Sequence, residues 1–181
     1  MKKRSLMVAY APDNSVMGIN GQLPWRLPKD TRFFKNVTMS AGICIMGRKN
    51  YESLPNGYRP LLGRKNIILT RNPLWTPEEE DDSIIVVNSF WEALEEAEKA
   101  PGEEICFIGG AEIYKLALEN IILHKIHRTL VFTPNKINGD VFFPTNSLPS
   151  LRSEYEKTYE EMVLRDQKHC YSFSMETWQR V

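Results

Sequence analysis

Apolar residues fall along the chain in short unbroken runs. Leu6-Met-Val-Ala-Tyr-Ala11, Ile43-Cys-Ile-Met46, Asn66-Ile-Ile-Leu-Thr70, Ile84-Ile-Val-Val87 and Ile105-Cys-Phe-Ile108 are each a few residues long and rich in β-branched side chains. Such runs predict strands buried on both faces. Helical signatures lie between them. Pro28 to Thr38 predicts a helix with Pro28 near its first position, and Phe33, Phe34 and Val37 share one stripe of it. Ser89-Phe-Trp-Glu92 is a capping box that opens a helix ending at Ala100-Pro-Gly102. Gly109-Gly110 leads into a further helix with Ile113, Leu116 and Ala117 on one face, and Lys125 to Phe132 is extended again. Pro12 to Pro24 is a long irregular segment, and loops of that length inside a domain usually carry function.

The pattern changes near the C-terminus. Tyr171, Phe173 and Met175 alternate with Ser172, Ser174 and Glu176, which predicts a strand with one wet face. With the extended stretch Tyr155 to Leu164 and the polar turn Asp166-Gln-Lys168, it makes a terminal hairpin. The expected fold is α/β: a three-layer, mostly parallel twisted sheet with helices on both faces and a C-terminal antiparallel hairpin. A single domain spans residues 1–181, because no linker, repeat or low-complexity tract divides them.

Composition narrows the class of partner. Lys+Arg and Asp+Glu number 23 each, so the formal net charge is zero and no single-sign field exists to attract nucleic acid or an anionic membrane. Hydrophobic residues make up 42%, enough for a full core. The three cysteines, Cys44, Cys106 and Cys170, are far apart in sequence and read as reduced thiols, which implies a cytoplasmic setting. Met1-Lys-Lys-Arg4 resembles a signal n-region, but the apolar run after it stops at Pro12-Asp13, well short of the roughly 18 to 20 residues a membrane span needs. The acidic run Glu78 to Asp82 reads as a solvated loop.

In sheets of this kind ligands bind beyond the carboxyl ends of the strands. Three expected strand ends there carry donors: Gly47-Arg48-Lys49, Thr70-Arg71-Asn72 and Gly109-Gly110-Ala111. Glycines let backbone N–H groups approach a phosphate at a helix start, and arginine adds planar donors. A pyrophosphate at the glycine turn and a 2′-phosphate between Arg48 and Arg71 suit NADPH better than NADH. Asp30 is the informative acid, since it lies on the same helix stripe as Phe33, Phe34 and Val37. A carboxylate there is costly without a partner, and it suits an amidine-like N–C–NH2 edge. Burial raises its pKa and the helix N-terminus lowers it; the sequence leaves the sign of the sum open. His124, His127 and His169 are scattered, and no metal site is indicated. A nucleophile elbow and a Walker loop are both absent.

These stretches together resemble bacterial-type dihydrofolate reductases. The likeness is carried by Leu6-Met-Val-Ala9, Val16-Met-Gly-Ile-Asn-Gly-Gln-Leu-Pro-Trp25, Leu27-Pro-x-Asp30, Phe34-Lys35 with Thr38, Ile45-Met-Gly-Arg48 with Tyr51-Glu-Ser53, Arg59-Pro60, Gly63-Arg-Lys-Asn-Ile-Ile-Leu-Thr-Arg71, Ile108-Gly-Gly-Ala-Glu-Ile-Tyr114, Gly139-Asp140 and Phe143-Pro144. They stand in the family's order over nearly the whole chain.

The resemblance implies NADPH-dependent reduction of 7,8-dihydrofolate by hydride transfer to C6 and protonation of N5. It implies that Asp30 holds the pterin edge, that Trp25 and Leu23 belong to a mobile loop over the site, and that Met7 and Ile108 offer backbone carbonyls. Phe34 and Leu61 would wall the pocket, Arg64 would clamp the glutamate tail with Arg59 nearby, and Thr129 would hydrogen-bond the acid. Ala9, Gly18 and Ile19 would line the nicotinamide pocket. Gly47, Arg48, Lys49, Asn50, Thr70 and Arg71, with Gly109, Gly110, Ala111, Glu112, Ile113 and Tyr114, would hold the rest of the cofactor, and Gly109-Gly110 would be a cis peptide.

The chain departs from the family pattern in places. Asn50 stands where Thr or Ser is usual beside the nicotinamide. Leu54-Pro-Asn-Gly-Tyr58 is longer than in compact members, which loosens the placement of Arg59. An ungapped alignment puts Val131 at the threonine's position, whereas the context Lys125-Ile-His-Arg-Thr-Leu-Val131 favours Thr129. Two alternatives share the architecture: a pyrimidine reductase of the same fold, and a folate- or NADPH-binding protein without catalysis. The expected assembly is a monomer, with Arg48, Lys49, Arg64 and Arg71 gathered around one cleft and the acidic runs elsewhere.

Overall fold

The computed structural model describes residues 1–181. Five apolar runs become parallel strands: β1 (Lys3–Tyr10), β3 (Gly42–Gly47), β4 (Lys65–Leu69), β5 (Ile84–Val87) and β6 (Glu104–Phe107). They join β7 (Lys125–Phe132), β9 (Tyr155–Val163) and β10 (Ser172–Arg180) in one eight-stranded sheet of order β5-β4-β3-β6-β1-β7-β10-β9. Only β10 runs against its neighbours β7 and β9. The hairpin therefore lies at one edge of a parallel sheet, as expected, and no helix is long and apolar enough to cross a membrane.

Helices cover both faces. Helix α1 (Pro28–Ala41) begins with Pro28 and ends at Gly42, whose φ of 82° and N–H to the Thr38 carbonyl close a left-handed C-cap. With α2 (Arg48–Ser53) it packs over Met7, Cys44, Met46, Ile68, Cys106 and Ile108. Helices α3 (Phe90–Lys99) and α4 (Ala111–Asn120) cover the other face over Leu6, Ile43, Ile45, Ile67, Ile105 and Phe107. Ser89 caps α3 by accepting the Glu92 N–H, but the Glu92 carboxylate accepts from Asn88 N–H instead of closing the box on Ser89.

Several expectations need correction. Pro12 to Pro24 is partly ordered: β2 (Val16–Gly18) pairs with β8 (Val141–Phe142) beside the main sheet. The basic stretch Arg48-Lys49 opens a short helix, not a turn. The face of β10 expected to be wet is buried, with Ser174 and Glu176 both under 5% exposed, at 2% and 4%. Glu176 is there because Arg128, Lys157 and Trp178 surround its carboxylate. It is β9, the edge strand, that faces solvent. The acidic run is not wholly solvated either, since Glu79 accepts from the Tyr51 hydroxyl at 2.9 Å and sits 3.4 Å from Arg59. Finally, Cys44 and Cys106 are separated in sequence but lie side by side on adjacent strands, in register and as thiols. A 3₁₀ turn (Thr145–Ser147) and α5 (Leu151–Glu154) complete the chain.

Candidate functional site

The carboxyl ends of β1, β3, β4 and β6 meet at one edge of the sheet. The β1–β6 ladder stops at Leu6–Phe107, while β1 continues with β7 to Tyr10–Leu130. Met7 and Ile108 thus leave their shared ladder, and the strands part where a ligand can enter. Their carbonyls are held by the chain itself: Tyr114 Oη donates to Met7 O at 2.7 Å, and Asn50 Nδ2 donates to Ile108 O at 3.0 Å. Tyr114 is therefore turned into the core, away from the cofactor role expected of it, and the departure at Asn50 fastens α2 to β6. Each carbonyl keeps a second lone pair for a ligand.

Asp30 stands over this opening from the first turn of α1 and is 7% exposed. Thr129 Oγ1 on β7 donates to its Oδ1 at 2.6 Å, so the hydrogen bond to the acid comes from Thr129 and not from the position of Val131. The carboxyl makes no ion pair. Burial pushes its pKa up, the hydrogen bond from Thr129 pulls it part of the way back, and the result is about 6. The sign left open by the sequence is thus upward. Phe33, Phe34 and Val37 continue the same face onto the cluster containing Leu61 and Ile108. His127, buried on the same face of β7, holds Thr177 Oγ1 at 2.9 Å, and burial draws its pKa down to about 4, so it stays neutral near pH 7.

The other end of α1 holds a buried cation. Arg64 donates from Nη1 to Thr38 Oγ1 at 2.7 Å and from Nε to Leu62 O at 3.1 Å, and it has no carboxylate partner. Thr38 lies eight residues beyond Asp30, about 12 Å along the helix. One helix thus separates an unpaired buried acid from an unpaired buried guanidinium. Arg59 is placed differently from expectation. It faces Glu79, and its guanidinium donates to Asn56 Oδ1 at 2.9 Å.

A third group of residues surrounds two helix starts. Gly47 N–H donates to Gly109 O at 2.8 Å and so brings the starts of α2 and α4 together. Neither helix has a side-chain cap, since Gly47 and Gly110 stand at the N-cap positions. Their first N–H groups are free to meet an anion. The Gly109-Gly110 bond is cis, and at Gly109 (φ 99°) any Cβ would strike the Tyr114 ring at 2.8 Å. Arg48 and Arg71 flank the two starts and pair loosely with Glu52 and Glu112, at 3.6 Å each. Thr70 is buried, its Oγ1 accepting from Asn72 N–H at 3.1 Å. Arg64 precedes β4 and Arg71 follows it, so the four expected cations do not form one ring. They lie at separate stations around β4.

The loop before α1 divides into two parts. Leu23 is 61% exposed, whereas Trp25 is buried with Leu27, Val131, Phe173 and Met175. Trp25 therefore anchors the segment instead of riding at its tip. Gly18 is buried, and the turn that follows it closes with an Ile19–Gln22 bridge. Ala9 packs at the margin of the cluster that holds Trp25. Sequence reasoning missed that Tyr114 and Asn50 fix the two carbonyls. An Asn in the first turn of a short helix was the sole signal, and its partner is 58 residues away.

The chain is similar to known proteins along nearly its whole length. The family model described as dihydrofolate reductase matches residues 5–180. The chain is 41% identical over 142 residues to a putative dihydrofolate reductase of Caenorhabditis elegans, covering 73% of each. It is 33% identical to the dihydrofolate reductase of Candida albicans, covering 99% of this chain and 100% of that one. It also matches a bifunctional dihydrofolate reductase-thymidylate synthase of Daucus carota at 34% identity but spans only 32% of that protein. Among solved structures, dihydrofolate reductase from Enterococcus faecalis, complexed with NADP(H) and RAB-propyl, superposes with a TM-score of 0.78 at 30% identity, over 98% of this chain and 96% of that one.

Proposed function

The chain belongs to the dihydrofolate reductase family, and from that premise we propose which of its residues carry the NADPH-dependent reduction of 7,8-dihydrofolate to 5,6,7,8-tetrahydrofolate. One observation carries the reading: α1 bears an unpaired buried carboxyl, Asp30, and, about 12 Å further along its axis, Thr38, which accepts from the unpaired buried guanidinium of Arg64. Each is costly alone and is compensated by a ligand of opposite charge. A pterin with an amidine-like edge and an anionic glutamate tail supplies both.

Asp30 takes the 2-amino and N3 edge of the pterin. A carboxyl with a pKa of about 6 passes readily between acid and base near neutral pH, as proton delivery to N5 requires. Thr129 fixes its orientation. Phe34 and Leu61 cover the ring, and Arg64 receives the tail. Arg59, committed to Glu79, serves the tail only after that pair opens. The carbonyls of Met7 and Ile108, set by Tyr114 and Asn50, complete the pterin edge.

The residues fit a polyanionic dinucleotide: two uncapped helix starts meet at glycines, and at Gly110 a Cβ would find open space. Arg48, Lys49, Thr70 and Arg71 take its phosphates and adenosine, and Gly109 to Ile113 take the pyrophosphate. Bound NADPH supplies the hydride. Ala9, Gly18 and Ile19 border the reacting ring, and Leu23 closes over it to exclude water.

We propose the bacterial type on the order of the sequence motifs; overlap does not set it, since the Candida albicans relative spans the chain as fully as the Enterococcus structure does. A cytoplasmic setting fits the adjacent free thiols Cys44 and Cys106, and the assembly we propose is a monomer. The test follows NADPH absorbance with dihydrofolate for wild type and Asp30→Asn. Near neutral pH the variant should lose roughly 10²- to 10⁴-fold in rate. Equal rates would remove Asp30 from the chemistry.

A further inference from the structure

Helix α1 starts without a cap of its own. Leu27 at the N-cap has no side-chain acceptor, and Pro28 has no N–H to satisfy. The first orphan donor is the Lys29 N–H, and it finds an acceptor 140 positions away, His169 Nε2, at 3.4 Å. His169 lies in the turn that joins β9 to β10. Its other ring nitrogen, Nδ1, is 2.8 Å from Asp166 Oδ1, and that oxygen also accepts the N–H groups of Lys168 and His169 at 2.8 Å each. A carboxylate only accepts, so Nδ1 carries the proton and Nε2 presents its lone pair to Lys29. A single neutral tautomer satisfies every bond.

The same turn grips the chain just before the helix. Cys170 Sγ accepts from Arg26 N–H at 3.2 Å, and Cys170 N–H donates to Arg26 O at 3.4 Å. Lys29 Nζ pairs with Glu161 on β9. The His169 ring rests on Phe173 with centroids 5.5 Å apart, beside the cluster that buries Trp25 and Leu27. Residues 26–29 are therefore held by the hairpin, and the next residue is Asp30.

We propose that His169 is a positioning residue for Asp30, acting as a cap in trans on the helix that carries the acid. The inference rests on the proposed role of Asp30. Asp30 has one side-chain bond, from Thr129 on β7, and β7 is paired to β10. The cap ties the helix start to that same piece of sheet, so the distance from Asp30 to Thr129 is set from both sides. Without it the first turn frays, because the Lys29 donor loses its only partner, and Asp30 in that turn moves with it. A displacement of about 1 Å is enough to cost a large factor in rate.

Two substitutions separate this role from simple packing. His169→Phe keeps a ring on Phe173 but removes the acceptor. His169→Gln places an amide oxygen near the position of Nε2. In His169→Phe, kcat/KM for dihydrofolate should fall about tenfold and the midpoint of the pH–rate profile should move, with NADPH affinity unchanged. His169→Gln should restore most of both. Hydrogen exchange at the Lys29 amide should quicken in the Phe variant and return toward wild type in the Gln variant. A Phe variant with a lower Tm but a wild-type pH profile and kcat/KM would make His169 merely structural and overturn the proposal. Unchanged Lys29 exchange would overturn the cap itself, whatever Asp30 does. Retained turnover in Asp30→Asn would overturn the catalytic reading while leaving the exchange result standing.

Discussion

Two consecutive residues of β7 serve two buried carboxylates on opposite faces of the sheet. Arg128 meets Glu176, and Thr129 meets Asp30. Glu176 is saturated. It accepts from Arg128 Nε at 2.6 Å, Trp178 Nε1 at 2.7 Å and Lys157 Nζ at 3.4 Å. Burial alone would raise its pKa, but the hydrogen bonds from Trp178 and Arg128 and the nearby positive charges outweigh that, and the net direction is down. Asp30 has one hydroxyl for company, and burial wins. Glu176 has three charged or polar donors, and Asp30 has one. The side chain proposed to exchange a proton is the one whose charge the fold does not neutralise.

Glu176→Gln gives the largest expected effect on stability. It leaves the half-buried Arg128 facing a neutral amide, while the exposed Lys157 turns to water, and should cost about 3 kcal/mol in urea unfolding, with kcat per folded molecule retained. A cost near zero would mean that the cluster is ornamental and that the contrast with Asp30 is one of position alone.

Asp30→Asn should have the opposite sign. The native pKa of about 6 lies above the ordinary 3.8, so between those values the native state holds more protons than the unfolded state. Stability therefore falls as pH rises from about 4 to about 6, and above that the full cost, on the order of 3 kcal/mol, is in place. Asparagine has no such cost. The variant should gain on wild type across that window and keep the advantage at pH 7. Parallel stability curves for the two proteins would remove the burden assigned to Asp30. Glu176 tilts the other way: its contribution is present above its unfolded pKa and is lost as pH falls.

The smallest effect tests the single bond to Asp30. Thr129→Val removes a hydrogen bond that lowers the acid's pKa, so the midpoint of the pH–rate profile should rise by about one unit or less. A midpoint that stays in place would show that Thr129 orients the acid without tuning it.

The parallel half of the sheet was legible because strands buried on both faces must be apolar throughout, and nothing else explains runs such as Ile43 to Met46. Asp30 was legible for the converse reason: a charge on an apolar stripe asks for an explanation. The antiparallel half departs from the alternating pattern at Glu176, because the rule that polar residues face water fails when partners are supplied from afar, and at Ser174, whose hydroxyl is buried without a partner. Arg128 lies 48 positions before Glu176, and Lys157 lies 19 before it. The same distance hid Glu79 against Arg59, Asn50 against Ile108 and His169 against Lys29. One local clue to His169 did exist: Asp166 and His169 are three residues apart in a turn, ahead of a helix whose start, Leu27-Pro28, offers no acceptor of its own.

The place of β1 in the strand order has a consequence in time. Both of its hydrogen-bonding neighbours are made late, since β6 begins at Glu104 and β7 at Lys125. A ribosome adding about 5 to 20 residues per second leaves β1 unpaired for roughly 5 to 20 s after it is synthesised. For that interval Leu6, Met7 and Val8 form an exposed adhesive edge on a nascent chain that already contains Asp30 and its helix. Pauses in translation between residues 10 and 104 lengthen the exposure, so the yield of active enzyme depends on the tempo of its synthesis as well as on the stability of its fold.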